Sequence, residues 1–296
     1  MKKLLVLTSS LIFSIAMAGD FGGYSIFEYD ADAFDMKRVY LKYSDNISDD
    51  LQFKLTYDIG RDDDGSDATS DDTKLSSYVK HAHINWNKNI GSFSIGLIGT
   101  NSYGVQEKTW GYRFIQKSPL DSEGWTNTAD FGIGYSRSFG DISINAQVLN
   151  GEGYKREQDG KDFAIYLRLL YGEDSLNKND GFNVGLALNN HGNDQLVALF
   201  GGWAKDKIRT GLEYNRLDDD EQGTSKVMIA NYFNYTLSDK WGVFMRNDRT
   251  ELVGGDTNTD TYLGAVWKAH ENLHIAPTIN MSNDSNDFKV SCMFKY

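Results

Sequence analysis

Charged and polar side chains recur at every second position along several otherwise apolar stretches of this chain. Arg38, Tyr40 and Lys42 form one such series, and Lys54 and Asp58 belong to another. Neighbouring side chains of an extended strand point to opposite faces, so each series lies on one face of its strand. Charges at this density cannot all be paired in a dry interior. The pattern therefore predicts a wall that faces water, where rings of charge attract or repel ions.

A longer segment between two alternating stretches, residues 101–128, mixes apolar anchors with charges. Trp110, Phe114 and Ile115 could pack against the wall of a lumen. We expect this segment to fold inward, so that its charges narrow the passage and set its ion selectivity. The alternative is an external loop with a short amphipathic helix. The charged residues expected to face the channel are Glu107, Arg113 and Lys117.

The histidines and the cysteine offer a catalytic interpretation, which the spacing does not favour. His81 and His83 share one strand face, as a metal pair would, but no third ligand is in reach along the sequence. A hydrolase would need a Ser–His pair; the chain has no G-x-S-x-G motif and no evident Ser partner for any His. Cys292, the single cysteine, is expected to be a small apolar residue. We expect no catalytic residue and no bound metal, and keep a barrel hydrolase as an alternative.

The elements that must position these residues are extended. Period-two alternation recurs along the whole chain, and residues 51–59 are its clearest case. The count is even, as single-chain bacterial barrels require, although the chain is short for sixteen strands and fourteen stays open. The sixteen segments are 24–29, 36–43, 51–59, 78–86, 93–100, 129–139, 142–150, 163–171, 182–189, 196–204, 208–217, 227–237, 241–248, 261–268, 273–280 and 288–296.

The connections between these segments alternate in length. Short turns such as residues 140–141 alternate with longer and more acidic loops, and residues 172–181 are a long exception among the turns. Short turns at one end and longer loops at the other are typical of membrane barrels. Pro277 lies inside segment 273–280, where it removes a ladder hydrogen bond, so we expect a bulge or a shorter strand there.

Aromatic residues support the same arrangement. If both chain ends lie at the end with the short turns, nine aromatic side chains fall at that end, where rings prefer the membrane interface. These nine are Tyr43, Trp86, Phe93, Phe139, Tyr171, Trp203, Trp241, Trp267 and Tyr296. A sparser girdle is expected at the other end, formed by Tyr57, Tyr78, Phe163 and Tyr214.

Composition and charge limit the classes of partner. After residue 18 no apolar run approaches the roughly 20 residues of a spanning helix, whereas 17 Tyr, 16 Phe and 6 Trp with only 2 Pro suit a large closed sheet. The formal charge of −12 disfavours nucleic acid. Two acidic runs, residues 61–72 and 218–221, are expected in exposed loops. Divalent cations could bridge them to anionic lipid headgroups, and no other cofactor is expected.

The two ends of the chain carry separate signals. Residues 1–18 have two lysines, an apolar run and Ala16-Met17-Ala18, which predicts a signal peptide followed by one barrel domain over residues 19–296. Residues 288–296 alternate apolar and polar side chains and end on Tyr296. This pattern is typical of a membrane strand, expected to close the barrel against the segment near residues 24–29.

Four short segments resemble those of bacterial outer-membrane porins of the general-diffusion and phosphate-selective type. They are Phe27-Glu28-Tyr29, Arg38-Val39-Tyr40-Leu41, Trp110-Gly111-Tyr112-Arg113 with Lys117, and Phe294-Lys295-Tyr296. The resemblance covers residues 19–296 as architecture. It implies an all-β fold, a closed antiparallel transmembrane barrel with its third loop in the lumen, in the outer membrane of a Gram-negative bacterium. It also implies a homotrimer.

The resemblance further implies a constriction in which basic wall residues face acidic loop residues. Arg38, Lys42, Arg209 and Arg246 match the wall positions, and Glu107 matches the loop side. With Arg113 and Lys117 they are the expected residues of the constriction. The implied activity is not enzymatic: a water-filled channel for passive diffusion of ions and small hydrophilic solutes.

The partners implied by the resemblance are lipid, lipopolysaccharide and the barrel assembly machinery, the last through residues 288–296. An anion- or phosphate-selective porin is an alternative, although the chain lacks a dense ladder of inward arginines. A structural or adhesive barrel with a plugged lumen is another.

Overall fold

The computed structural model describes residues 19–30, 32–61, 75–158, 162–220, 222–283 and 285–296. These residues form a closed barrel of sixteen antiparallel strands, in which each strand pairs with the next and the last pairs with the first. The predicted fold class is confirmed, with sixteen strands rather than fourteen. The predicted signal peptide and residues 62–72 of the first acidic run lie outside the described residues.

Every one of the sixteen predicted segments overlaps a strand. The strands are β1 (Asp20–Asp30), β2 (Ala33–Asn46), β3 (Leu51–Arg61), β4 (Leu75–Lys88), β5 (Gly91–Gly99), β6 (Ala129–Phe139), β7 (Ile142–Leu149), β8 (Ala164–Gly172), β9 (Gly181–His191), β10 (Asp194–Lys205), β11 (Ile208–Asp219), β12 (Thr224–Thr236), β13 (Trp241–Leu252), β14 (Thr257–His270), β15 (Leu273–Met281) and β16 (Asn286–Lys295).

Two short helices, α1 (Gly104–Trp110) and α2 (Pro119–Ser122), lie between β5 and β6. Among the described residues, no helix is both long and apolar enough to cross a membrane. We call the end of the barrel that holds Gly19 and Tyr296 the inner end, and the opposite end the outer end. The segment between β5 and β6, residues 100–128, is the third connection at the outer end and is called loop 3 below.

Alternation explains which residues face outward. Along β8, Ile165, Leu167 and Leu169 are 43–49% exposed, whereas the alternate residues Ala164 and Tyr166 are buried. The exposed side chains are apolar and lie on the outer surface, while the inward positions carry most of the polar groups. This is the inverse of a soluble protein and gives the barrel an apolar belt.

Closure of the sheet is made by β1 and β16. Their register runs from Tyr24 opposite Lys295 to Asp30 opposite Lys289, as predicted from the final residues of the chain. Beyond the strand, the N–H of Tyr296 donates to the carbonyl of Gly23 and the N–H of Gly23 donates back, at 3.2 and 3.0 Å. The sheet therefore has no unpaired edge between these two strands.

Two irregularities change which side chains face the lumen. A register shift between β3 and β4 leaves Lys80 as an extra residue, so that Thr56 pairs with His81 but Asp58 pairs with Tyr78. Tyr78 therefore faces inward, and its prediction as an outer-girdle residue is wrong. At Pro277 the ladder to β14 is interrupted while the ladder to β16 continues. The expected irregularity at Pro277 is therefore present, within a strand of full length.

Aromatic rings collect at the inner end, where all nine predicted rim residues lie. Adjacent strands bring them into contact: Trp241 stacks on Trp267 with ring centroids 5.8 Å apart, and Trp86 lies 6.2 Å from Phe93. These rings form a band on one rim of the apolar belt, the depth at which a membrane interface favours them.

Candidate functional site

Loop 3 leaves the outer end of the wall and folds back into the barrel. Its helix α1 ends at Gly111, whose φ of 78° lets its N–H reach the carbonyl of Glu107 at 2.8 Å. Helix α2 begins after Ser118, whose hydroxyl accepts from the N–H of Asp121, with Pro119 in the first turn. Two short capped helices give the loop a defined shape inside the lumen.

The apolar side of loop 3 packs on the wall, as predicted. Trp110 is fully buried, and its ring lies 5.6 Å from that of Phe244 and 5.7 Å from that of Tyr232. Phe114 and Ile115 belong to the same buried cluster. The expected inward folding of the loop is confirmed, and burial of these three apolar side chains stabilises the packed loop.

Polar groups of β11, β12 and β13 fix the loop backbone. Arg246 donates to the carbonyl of Lys117 at 2.5 Å, and Arg209 donates to the carbonyl of Trp110 at 3.0 Å. Asn234 donates to the same Trp110 oxygen at 3.2 Å. Backbone carbonyls that the loop would otherwise bury without partners are thereby satisfied.

Arg246 does not face the open channel, which corrects its predicted place in the constriction. Its side chain is fully buried and pairs with Asp248 at 2.5 Å. The sequence pattern placed it correctly on the inner face of β13. Nothing in that pattern indicates that loop 3 covers this part of the wall. Arg246 anchors the loop instead of lining the open lumen.

The long inner turn between β8 and β9, residues 173–180, supports loop 3 from below. Lys108 of α1 pairs with Asp174 at 3.3 Å, and Leu176 is buried. Above them, Gly202 faces α1, and a Cβ there would lie 2.3 Å from Cγ2 of Thr109. This unusually long turn therefore forms part of the surface on which loop 3 packs.

The charged side of loop 3 is built around Arg113. Its guanidinium lies 2.5 Å from the carboxylate of Glu107 and 2.6 Å from that of Asp121. Burial alone would lower the pKa of Arg113, but the two carboxylates and Tyr40 hold it well above its usual range. The structure brings the predicted Glu107 and Arg113 together and adds Asp121, which the sequence analysis did not single out.

The wall opposite loop 3 carries a second charge cluster around Asp58. Arg38 lies 3.4 Å from its carboxylate and Lys80 lies 3.7 Å from it. Tyr154, from the loop after β7, donates its hydroxyl to Asp58 at 2.9 Å. The predicted Lys42 is exposed on the same wall, 4.9 Å from the ring centre of Tyr24.

Lys80 and Tyr154 were missed for different reasons. Lys80 falls on the outward parity of β4 and faces inward only because of the bulge beside it. Tyr154 lies in a loop whose path the alternation of strands does not describe. A lysine between Val79 and His81 in a strand otherwise apolar on that face is the one signal that could have indicated the bulge.

A polar gap separates loop 3 from β1, β2 and β16. Its volume is about 280 Å³, and Arg113 and Lys117 line it from the loop while Arg38 lines it from the wall. Glu28 stands in the gap between two lysines, 3.2 Å from Lys37 and 3.4 Å from Lys289. Charges of both signs thus face each other across a narrow wet space, which can orient and select ions.

Histidines and metal ligands give no competing site among the described residues. The rings of His81 and His83 meet edge to face with centroids 6.1 Å apart, and Nδ1 of His83 lies 3.1 Å from the carbonyl oxygen of Leu97. No group of three or more potential metal ligands is present in the part of the chain that the structure describes.

Comparison with solved structures relates this arrangement to known barrels. OmpT of Vibrio cholerae superposes with a TM-score of 0.65 at 14% identity, covering 94% of this chain and 97% of that one. Salmonella typhi OmpF, in complex with daunomycin, gives 0.65 at 12%, covering 94% and 97%. A mutant of the Rh. blastica porin gives 0.64 at 14%, covering 94% and 99%.

No protein-family model matches the chain, and neither does any curated protein sequence. At these identities the likeness concerns the fold. The chain has the fold of these bacterial porins, a closed sixteen-stranded barrel. Its own third loop folds into the lumen.

Proposed function

We propose that this protein is a porin, a channel for passive diffusion of ions and small hydrophilic solutes. The observation that carries the proposal is the gap beside loop 3. The loop packs on one side of the wall through Trp110 and Arg246. On the other side it leaves an open space lined by charged side chains. A barrel of sixteen strands is wide enough to hold a water-filled lumen around such a loop.

The apolar belt supports a place in the outer membrane of a Gram-negative bacterium. Exposed apolar side chains on the outward face of the strands suit lipid, and the aromatic band at the inner end suits an interface. Lipid and lipopolysaccharide are then the surrounding partners. Residues 288–296 are the segment that we expect the barrel assembly machinery to bind.

Single-channel recording in planar bilayers tests the proposal. Refolded protein should give discrete, stable conductance steps in KCl, and a heat-unfolded sample should give none. Correctly folded barrel without conductance would overturn the channel function and favour a plugged structural or adhesive barrel. Hydrolysis of lipid or peptide substrates by the same preparation would favour the hydrolase alternative.

An anion-selective channel is the second candidate, favoured by the cations of the wall beside the gap. Arg38, Lys42 and Lys80 face the lumen, against one carboxylate in that cluster, Asp58. The reversal potential under a KCl gradient separates the two candidates. A strong preference for chloride would support the anion channel, and a weak preference would support general diffusion.

Assembly as a homotrimer is part of the proposal. One solved barrel with this fold, OmpT of Vibrio cholerae, is described in its trimer form. The mass of the detergent-solubilised particle, measured by light scattering, should correspond to three chains. A monomeric mass in a detergent that preserves conductance would contradict the trimer.

Divalent cations at the acidic outer loops are the remaining proposal. Asp218 already pairs with Arg216 at 2.8 Å, and Asp220 accepts from Asn193. Residues 62–72 lie outside the described part. Chelation by EDTA should weaken retention of the protein in lipopolysaccharide vesicles if cations bridge the two; unchanged retention would contradict this.

A further inference from the structure

A second chamber lies in the lumen on the inner side of loop 3. Its volume is about 370 Å³, and it is bounded by Tyr112 and Phe114 of the loop and by the turn that contains Leu176. Phe114 also lines the gap on the other side, so the loop separates the chamber from the constriction. The chamber is therefore a distinct space at the inner end of the lumen.

Five cationic side chains line this chamber, against the two carboxylates of Asp180 and Asp206. They come from five different elements of the fold and converge on one space. They are Lys178, Lys207, Arg209, Lys268 and Lys295. Cations focused in a cleft with low-dielectric walls raise the local concentration of anions.

These cations differ from most of those at the constriction in having no carboxylate partner. Arg113, Arg38 and Lys289 are each paired with an acid. Among the described residues, none of the four chamber lysines forms an ion pair, and Nε of Arg209 is buried without a hydrogen-bond partner. An unpaired cation attracts a mobile anion with its full charge. In an ion pair, the neighbouring carboxylate offsets most of that attraction.

The other end of the lumen has the opposite sign. The outer chamber, about 660 Å³ in volume, is lined by Glu123 and Asp256 with one cation, Lys226. Burial, with repulsion from Asp260 and Asp248, raises the pKa of Glu123, so negative charges near the outer chamber act on one another. An anion thus meets repulsion at the outer chamber and attraction at the inner one.

We propose that the inner chamber is a binding site for small solutes that carry two or more negative charges. The physiological role of this site rests on the proposed channel function, whereas binding of the anion does not. Apolar groups beside the cations, Phe114, Val266 and Met293, suit the carbon part of an organic phosphate or polycarboxylate. The shared chemistry is a multiply charged oxyanion.

The first test is calorimetric and does not depend on conduction. Citrate and pyrophosphate are titrated in turn into the folded, detergent-solubilised protein at low salt, where charges are least screened. Replacement of three cations by K207Q, K268Q and K295Q together should weaken binding by at least about tenfold, since each substitution removes one attraction between opposite charges. Tighter binding of one probe assigns the site to phosphates or to carboxylates.

The matched control removes three cations of the same inner end that lie outside the chamber, through R137Q, K205Q and K240Q. Lys205 follows the inward Ala204 and points outward. This variant should bind as the wild type does. Equal losses in both variants, or no binding of either probe to wild-type protein, would overturn the site.

The second test is block of KCl current in planar bilayers by the same two anions. The inner-end side should require the lower concentration, and the chamber variant should lose that difference. A conducting channel that neither binds nor is blocked would overturn the anion site and leave the porin function intact. Binding without any conductance would overturn the porin function and leave the site.

Discussion

Arg113 holds two carboxylates of its own loop, and its removal should change both the width and the selectivity of the gap. Breaking one partner of a largely buried ion pair costs about 3–5 kcal/mol, because charges are left without compensation. With Glu107 and Asp121 repelling each other, the loop loses its fixed shape. We expect Arg113→Ala to raise single-channel conductance and to shift the reversal potential in a KCl gradient towards cations.

The control for this prediction is Arg249→Ala. Arg249 also lies beside an acid, Glu251 at 3.3 Å, but both side chains are exposed at the outer end of β13. An exposed pair contributes about 0–1 kcal/mol, so this variant should conduct like the wild type. Equal conductance in the wild type and in Arg113→Ala would show that the arginine does not shape the gap.

Two acidic residues of loop 3 should lose their charges at different pH. Burial and the nearby Asp260 and Asp248 raise the pKa of Glu123 above its ordinary 4.5. Burial would also raise the pKa of Asp121, but Arg113 and Lys117 outweigh it and hold the value below 3.8. A carboxylate with a lowered folded-state pKa stabilises fully above its unfolded value, and that stabilisation is lost as the pH falls through the folded value.

Acidification should therefore act on selectivity before it acts on the loop. Loss of the Glu123 charge should shift the reversal potential towards anions while the pH is still above 4.5, and conductance should stay unchanged until the pH is below 3.8. Reversal potentials measured from pH 7 downwards give the first change, and Glu123→Gln should remove it. Persistence of the first change in Glu123→Gln would assign it to another group.

Helix α1 of loop 3 can dock only because β10 presents a glycine. A Cβ at Gly202 would meet Thr109 at 2.3 Å and Leu176 at 2.9 Å. Overpacking of this kind costs about 1–3 kcal/mol. We expect Gly202→Val to displace α1, to lower the free energy of unfolding in urea, and to give a larger and noisier conductance.

The neighbouring glycine provides the control, because it lies on the other face of the same strand. A Cβ at Gly201 would meet the carbonyl oxygen of Asn183 at 3.2 Å, and no part of loop 3. Gly201→Val should leave the conductance unchanged. A shared change in both variants would place the effect in the strand rather than in the docking of α1.

The β-strands were largely predictable from the sequence, because each strand shows its own alternation of apolar and polar side chains. Even the inward packing of Trp110 followed from apolar anchors set among charges. Side chains whose surroundings come from distant segments were not predictable. Arg246 lies beneath a loop that begins far away in sequence, and Tyr154 crosses the lumen to reach Asp58. The bulge at Lys80 shows that a single extra residue moves side chains to the other face.

The net charge of the whole molecule and the distribution of charge along its lumen differ, and the composition reveals only the first. A net charge of −12 suggests a surface that repels anions. The lumen instead changes from carboxylates at the outer end, through paired charges at the gap, to unpaired lysines at the inner end. Net charge therefore describes the protein as a solute, whereas the passage of an ion depends on the order of charges along its path.

Closure makes the barrel one cooperative unit, and it depends on the last residue of the chain. Tyr296 exchanges two backbone hydrogen bonds with Gly23, and its hydroxyl donates to the carbonyl of Tyr40 at 3.1 Å. At about 0.5–1.5 kcal/mol for each of these three hydrogen bonds, deletion of Tyr296 should lower the free energy of unfolding by roughly 3 kcal/mol. It should also reduce the yield of refolded barrel, because the seam between β1 and β16 joins the most distant parts of the chain.

Tyr296→Phe separates the contributions at this seam. This variant keeps the ring over Gly23 and both backbone hydrogen bonds, and loses only the hydroxyl contact to Tyr40. Urea unfolding and gel mobility of refolded samples should place it close to the wild type and well above the deletion. If deletion and Tyr296→Phe refold equally well, closure is secured by the strand register from Tyr24 to Asp30 alone. The aromatic terminus would then serve only the membrane interface.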